Sequence, residues 1–388
     1  MKRRYRIVIS AFVAIASIGL VALLVLLGTA AEGPLGSALE SVGNAVRSAE
    51  SRLAQRLRGP GRAQTMSWLE PMRTDADALR RPERVLLGAY DDGLPGTLEG
   101  VLELEDSLGV PLPLIQVYTA WGDRVDQRFP RRIVDAISGI GSIPVITWEP
   151  WLTDFENTLH PGIPLRDQRD RGGLAGIAAG TYDFYIDAWA QDAIRFGRPV
   201  LVRFAHEMND SYRYPWGPQN NRPEDFIAAW RRVVQRFRDA GAGNVLWVWA
   251  PHIAYDGYEA FYPGDDVVDW VATGTLNYGA VANWSQWWTF DEIFGQRYTR
   301  LAGFGKPIMI AEFGSLAVGG DRADWYARAL TDLPERFPAV RALLLFNVGA
   351  DQTVTYQALD WSILDDSATI SAARAALRSW PDADAPPR

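Results

Sequence analysis

Cysteine is absent from the 388-residue chain, which excludes disulfides, cysteine-based zinc sites and thiol nucleophiles together. Histidine is scarce: His160, His206 and His252 are all there is, too few for a histidine-rich metal centre. The main part of the chain also lacks positive charge. Net charge is −8, but residues 1–81 carry twelve Arg/Lys and six Asp/Glu, which leaves −14 on residues 82–388. An acidic domain repels polyanions, so nucleic acid is not an expected partner. A glycine-rich phosphate loop is missing too. Leu87–Gly93 (LGAYDDG), at the end of the first apolar run, lacks the dinucleotide fingerprint and argues against a Rossmann fold.

What is present is apolar and aromatic. Hydrophobic residues make up 48% and aromatics 12%, the composition of a packed globular chain. Sixteen tryptophans are many. Some serve a core, and indole faces also stack on sugar rings.

The N-terminus reads as a targeting segment. Basic Met1–Arg6 precedes Ile7–Leu27, which is uncharged over 21 residues. As a helix rising about 1.5 Å per residue it would cross a hydrocarbon core of about 30 Å. Residues 1–6 are then a cytoplasmic flank and 7–28 a transmembrane anchor, with the rest extracytoplasmic. A cleaved signal peptide is the alternative, with Thr29-Ala30-Ala31 as small residues for cleavage. Residues 29–81 read as a linker or stalk. Leu35, Leu39, Val42, Val46, Ala49 and Leu53 alternate spacings of four and three, which suits either a self-associating stalk or one amphipathic surface helix. Gly59-Pro60-Gly61 is expected to end it.

From residue 82 to 380 short apolar runs alternate with helical patterns. Strands are expected at Val85–Ala89, Leu112–Tyr118, Ile143–Thr147, Val200–Phe204, Val245–Trp249, Val268–Thr273, Ile308–Ala311 and Ala342–Phe346. Helices are expected at Tyr182–Phe196, Glu224–Ala240, Asp321–Arg336 and Ile370–Ser379, and residues 381–388 form a tail. Each strand reads as preceding a helix. Eight βα units in about 300 residues imply an α/β protein of the closed (β/α)8 barrel type, with chemistry at the C-terminal ends of the strands.

The polar and aromatic clusters fall at those ends. Trp148-Glu149-Pro150-Trp151 follows strand three, His206-Glu207-Met208-Asn209 strand four, and Pro251-His252 strand five. Asn277-Tyr278-Gly279 follows strand six, Glu312-Phe313-Gly314 strand seven and Asn347 strand eight. Two carboxyls about 5–5.5 Å apart cleave a glycosidic bond with retention, one as acid and one as nucleophile. Glu207 and Glu312 are the candidates and Glu149 is the internal competitor. The plain alternative for such a glutamate is a structural ion pair, for Glu207 with Arg203.

Leu201–Gly217 (LVRFAHEMNDSYRYPWG), Phe261–Trp270 (FYPGDDVVDW) and Pro307–Gly314 (PIMIAEFG) together resemble glycoside hydrolase family 26. The resemblance implies that Glu207 is the general acid/base and Glu312 the nucleophile. It also implies that His206 shapes the subsite of the reacting sugar and that Tyr278 hydrogen-bonds the nucleophile. Trp216, Trp148, Trp284, Phe346 and Asn347 are then expected at the substrate. Many family mannanases continue with a small residue and Trp-Phe-Trp-Trp-Gly, whereas this chain reads Asp210-Ser211-Tyr212-Arg213-Tyr214-Pro215-Trp216-Gly217, one residue longer. Mannan and β-glucan both remain open as substrates. The same barrel would also suit a non-catalytic glycan-binding module or a transglycosylase. No cofactor or metal is implied, since the mechanism needs only carboxylates and water, and Asp91-Asp92 and Asp265-Asp266 read as solvated loop acids.

Overall fold

The computed structural model describes residues 58–59, 61–331 and 333–380. The apolar run Ile7–Leu27 and the seam from Leu35 to Leu53 lie outside them. Among the described residues no helix is long and apolar enough to cross a membrane.

Eight parallel strands close into a barrel in sequence order. They are β1 (Leu86–Asp91), β2 (Leu114–Ala120), β3 (Ile143–Glu149), β4 (Val200–Phe204), β5 (Val245–Trp249), β6 (Trp270–Asn277), β7 (Ile308–Ser315) and β8 (Val340–Asn347). All eight overlap the runs read from sequence, and β4 and β5 match them at both ends. Strands buried on both faces are nearly continuous apolar stretches, which is why they are legible. The other six continue beyond those runs, and in β6 and β7 buried polar groups there find partners. Asn277 Nδ2, for instance, donates to Ser315 Oγ at 2.9 Å.

Alternation along each strand separates two cores. Leu86, Leu114, Val145, Leu201, Leu246, Ala272, Met309 and Leu344 are among the residues that fill the barrel. Their neighbours, such as Ile115, Ile146, Val202 and Leu343, meet the helices outside. The longest described helix, Pro223–Ala240, shows how the outer layer forms. Pro223 opens it, Asp225 accepts the Arg222 N–H at 3.1 Å, and Gly241 ends it at φ 86°, each the favoured residue for its place. Phe226, Trp230, Val233, Val234 and Phe237 form its buried face, at the spacing of one helical stripe.

Two expectations need correction. The link from β5 to β6 contains only the single turn Tyr258–Phe261 and no α-helix. Its sequence, with Pro251, Gly257, Pro263 and Gly264, cannot sustain one. The stretch assigned to the linker is also partly integral to the barrel. Residues 61–65 are helical, so Gly59-Pro60-Gly61 does not end helical structure there. Met66, Leu69 and Leu79 are fully buried in the barrel's interior cluster. Arg62 donates to the carbonyls of Ile140 (2.6 Å) and Leu112 (2.9 Å) and pairs with Glu105. This segment seals the N-terminal end of the barrel and leaves the C-terminal end open for chemistry.

Candidate active site

Glu312 reaches the barrel mouth through a break in strand alternation. Thr273 of β6 pairs with Ile310 of β7, and Gly274 with Glu312, which leaves Ala311 unmatched. On the other side the register jumps between Ile310 and Phe313. Ala311 therefore lies in the barrel interior, Phe313 in the outer core, and Glu312 is turned inward between them. Such a bulge re-aims a side chain. One carboxylate oxygen, Oε1, accepts from Arg203 Nη2 at 2.7 Å and from the Tyr118 hydroxyl at 2.8 Å. Arg203 is 1% exposed and is fixed by Nε donating to Thr147 Oγ1 at 3.0 Å. Burial, the largest single influence, pushes the Glu312 carboxyl up. Arg203, Tyr118 and Arg213 together overcome it and hold Glu312 below the usual carboxylate range. This is an ionised carboxylate, the form a nucleophile needs.

Glu207 sits on strained backbone. Among the described residues, the only non-glycine positions with positive φ are Ala205 (45°) and Glu207 (53°). A left-handed conformation costs such residues about 1 kcal/mol or more. The surroundings enforce it. Ala205 N–H donates to Trp148 O at 3.1 Å and Glu207 N–H to Ala250 O at 2.7 Å. Asn209 clamps the loop after β5, donating to His252 O at 2.9 Å and accepting from His252 N–H at 2.8 Å. The side chain of Glu207 is thereby aimed across the mouth. A Cβ built on Gly274 would stand 3.6 Å from Glu312 Oε2 and 3.9 Å from Glu207 Oε1. The two oxygens thus flank one point, and the missing side chain of Gly274 leaves that space open. Arg203, considered as a partner for Glu207, pairs instead with Glu312. The cation beside Glu207 is Arg213, at 3.3 Å from Oε2.

Glu149 ends β3 in the same mouth. Its carboxyl is pushed up to about 7, first by burial and also by the charge of Glu312, against the Trp151 indole bond and the arginines. His206 is 1% exposed and held well below its usual range by burial and Arg203. This neutral ring meets the Tyr214 hydroxyl through Nε2 at 3.1 Å. Its Nδ1 has no hydrogen-bond partner among the described residues and lies 4.0 Å from Glu149 Oε1.

The raised carboxyl has a consequence for stability. Glu149 holds its proton more tightly in the folded chain than at its ordinary value of 4.5. The stability this confers is complete below about 4.5 and is lost as pH rises through about 7. Glu149→Gln should therefore flatten the pH dependence of unfolding in that window, relative to the parent, by up to about 3 kcal/mol. Urea unfolding between pH 4 and 8 measures it, and superimposable profiles would refute the assignment.

The remaining expected site residues divide. Trp284, 52% exposed on the loop after β6, packs edge-on against Tyr278 at 5.3 Å, and Phe346 lies against Tyr90 at 5.6 Å. Both rings stand at the open end. Tyr278 packs against Trp361 at 4.9 Å, but the hydroxyl bonded to Glu312 belongs to Tyr118 and not to Tyr278. Trp148 is fully buried, stacked on Trp189 at 4.4 Å. It alternates with inward-facing Glu149 and so faces the helices. Trp216, 2% exposed, donates to His206 O at 2.7 Å and stacks under Tyr214 at 4.6 Å. It supports the site from below. Asn347 is 3% exposed and donates to Asp91 Oδ2 at 2.7 Å, tying β8 to β1. Asp91 is consequently a buried strand residue rather than a solvated loop acid. Sequence reasoning overlooked Tyr118, Arg213 and Gly274. Tyr118 ends the second apolar run and was open to the strand-end rule.

One set of side chains invites a cation. Donor atoms of Glu207, Asp210 and His252 lie within 4.8 Å of one another. However, His252 Nδ1 accepts the Ala254 N–H at 3.2 Å. In the neutral ring the proton is then on Nε2, the atom facing Glu207 at 4.0 Å, and no lone pair is offered to a metal.

An ionised, arginine-held glutamate at β7 facing a second glutamate after β4 defines a (β/α)8 barrel with a glycosidase-type carboxylate pair. The sequence comparisons agree. The model of glycosyl hydrolase family 26 matches residues 183–310. Endoglucanase H of Acetivibrio thermocellus is 32% identical over 308 residues, 75% of this chain and 31% of that protein. Mannan endo-1,4-β-mannosidase A and B of Caldalkalibacillus mannanilyticus is 27% identical over 161 residues, 39% of this chain and 28% of that protein. The chain belongs to glycosyl hydrolase family 26. It spans less than a third of the length of these curated relatives. The solved structure of a β-mannanase from Bacteroides ovatus shares the fold. Its TM-score is 0.56 at 18% identity, over 81% of this chain and 93% of that one.

Proposed function

We propose that the chain is a retaining endo-β-1,4-glycanase of the mannanase type. The observation that carries the reading is the opposition of Glu207 and Glu312 across the space over Gly274. Glu312 attacks the anomeric carbon while Glu207 gives its proton to the leaving oxygen. Glu207 then takes a proton from water, whose oxygen displaces Glu312 and restores its carboxylate. The carboxylates supply this chemistry with no cofactor. Trp284 and Phe346 offer faces to sugar rings, and Glu149 and His206 offer polar atoms to a hydroxyl.

A β-glucan is the second reading. It is favoured by the long match to a protein named an endoglucanase and by the altered run Asp210–Gly217. Incubating the full chain in detergent with mannan, 1,4-β-glucan, mixed-linkage glucan and xylan, and following reducing ends and product size, decides between them. Short oligosaccharides from mannan support the first reading. Binding without cleavage of any of the four would sink the glycanase reading.

The uncharged run Ile7–Leu27 supports a further part of the proposal, that the chain is anchored in a membrane with the barrel on its outer side. Extraction only by detergent agrees with that. A soluble exported form beginning near residue 31 would show a cleaved signal instead.

A further inference from the structure

Arg213 lies in the run Asp210–Gly217 that departs from the mannanase pattern, and its place in the mouth is fixed. Asp210 N–H donates to Glu207 O at 2.9 Å, Tyr212 N–H to Asp210 Oδ1 at 2.7 Å, and Gly217 N–H to Tyr214 O at 3.0 Å. These bonds lead the chain back over Glu207. The Arg213 side chain, 27% exposed, lies over the Tyr214 ring at 5.2 Å. One guanidinium nitrogen, Nη1, is 3.3 Å from Glu207 Oε2. The other, Nη2, donates at 3.4 Å to Thr353 Oγ1 on the loop after β8. Thr353 is itself anchored by donating to Asp351 Oδ1 at 2.7 Å.

The two oxygens of Glu207 therefore have different surroundings. Oε1 faces Glu312 Oε2 over Gly274, and Oε2 faces Arg213. Over a retaining cycle the negative charge moves from one glutamate to the other. Before reaction Glu312 is the anion, matched by Arg203 in direct contact and by Arg213 at longer range, and Glu207 carries the proton. Once Glu312 is esterified by the sugar and Glu207 has protonated the leaving alcohol, the anion has moved to Glu207. A buried carboxylate left alone is costly, and the nearest cation is Arg213. While Glu207 is protonated, Thr353 and the Tyr214 face keep that cation in place.

We propose that Arg213 is the counter-ion of Glu207 in the glycosyl-enzyme, holding Oε2 so that Oε1 meets the incoming water. In that step Oε1 takes a proton from water, the water oxygen bonds to the anomeric carbon, and the bond to Glu312 breaks with its electrons returning to the carboxylate. Arg213 acts through Glu207 and is a positioning residue. The proposal rests on the retaining reading above.

The test uses the full chain in detergent with 2,4-dinitrophenyl β-cellobioside and β-mannobioside, whose leaving group needs no acid. Arg213→Gln should lower kcat about 10- to 100-fold, part of the effect of a general base, and leave kcat/KM within about threefold. It should release about one equivalent of dinitrophenol in a burst, and intact mass should show glycosyl-enzyme at steady state. Arg213→Lys should recover most of kcat, and added azide should recover kcat in Arg213→Gln. Equal losses of kcat and kcat/KM without a burst, or an unchanged kcat, would overturn the proposal. Thermal melts of both variants distinguish misfolding from either result. If the parent enzyme releases product of inverted configuration and never carries sugar, the retaining reading itself has failed and this proposal with it.

Discussion

Replacing Glu312 by glutamine is expected to lower turnover by about 10⁵-fold or more on every glycoside substrate, the scale of losing a covalent nucleophile. No leaving group rescues it, because the missing bond is the one to the anomeric carbon. Glutamine is the informative replacement. Arg203 is 1% exposed and has Glu312 as its salt-bridge partner. Alanine would leave that guanidinium buried and unpaired, at a cost of about 3–5 kcal/mol. The amide oxygen of glutamine still accepts from Arg203 and Tyr118. Activity lost with little change in melting temperature for Glu312→Gln, against a clear destabilisation for Glu312→Ala, would separate catalysis from structure. A 2-deoxy-2-fluoro glycosyl fluoride should label Glu312 in the parent chain. Label on Glu149, the third carboxylate of the mouth, would overturn the assignment.

The second large effect is at Glu207, and there it depends on the leaving group. Polysaccharide cleavage expels a poor alkoxide, so Glu207→Ala should slow it by about 10²–10⁴-fold. A dinitrophenyl glycoside should still form the glycosyl-enzyme at nearly the parent rate. That intermediate should persist without a base to activate water. Azide, which needs no base, should restore turnover and give a glycosyl azide of retained configuration. An azide product of inverted configuration, with equal losses on both substrates, would exchange the roles of Glu207 and Glu312.

The barrel and its two principal carboxylates were legible because each follows from local rules. Eight apolar runs bounded by turn residues gave the strands, the strand-end rule brought out Glu149, Glu207 and Glu312, and the family resemblance singled out the last two. The errors arose where position depends on facing or reach. Trp148 and Glu149 are adjacent, so only one can point inward, and parity assigns the indole to the helices. Asn347 and Trp216 sit at strand ends or in matched motifs, yet each spends its polar atom on the scaffold. Tyr118 holds Glu312 across the barrel from a residue 194 positions away, a distance no motif spacing encodes. Arg213 lies in a stretch that looked informative only about substrate. The missing helix between β5 and β6 was announced by its prolines and glycines and overridden by the expectation of regular repetition.

The irregularity at Ala311 also sets a height. Removing that one residue would leave the in-and-out order of β7 intact: Met309 inward, Ile310 outward, glutamate inward, phenylalanine outward. Such a chain keeps the apolar pattern from which a barrel is built, but the carboxylate of Glu312 descends by one strand residue, about 3.3 Å. That drop exceeds the tolerance within which a reacting oxygen can work. The extra residue therefore contributes nothing to specifying the fold. It is an elevator for one carboxylate, and at this position the conditions for folding and for catalysis come apart.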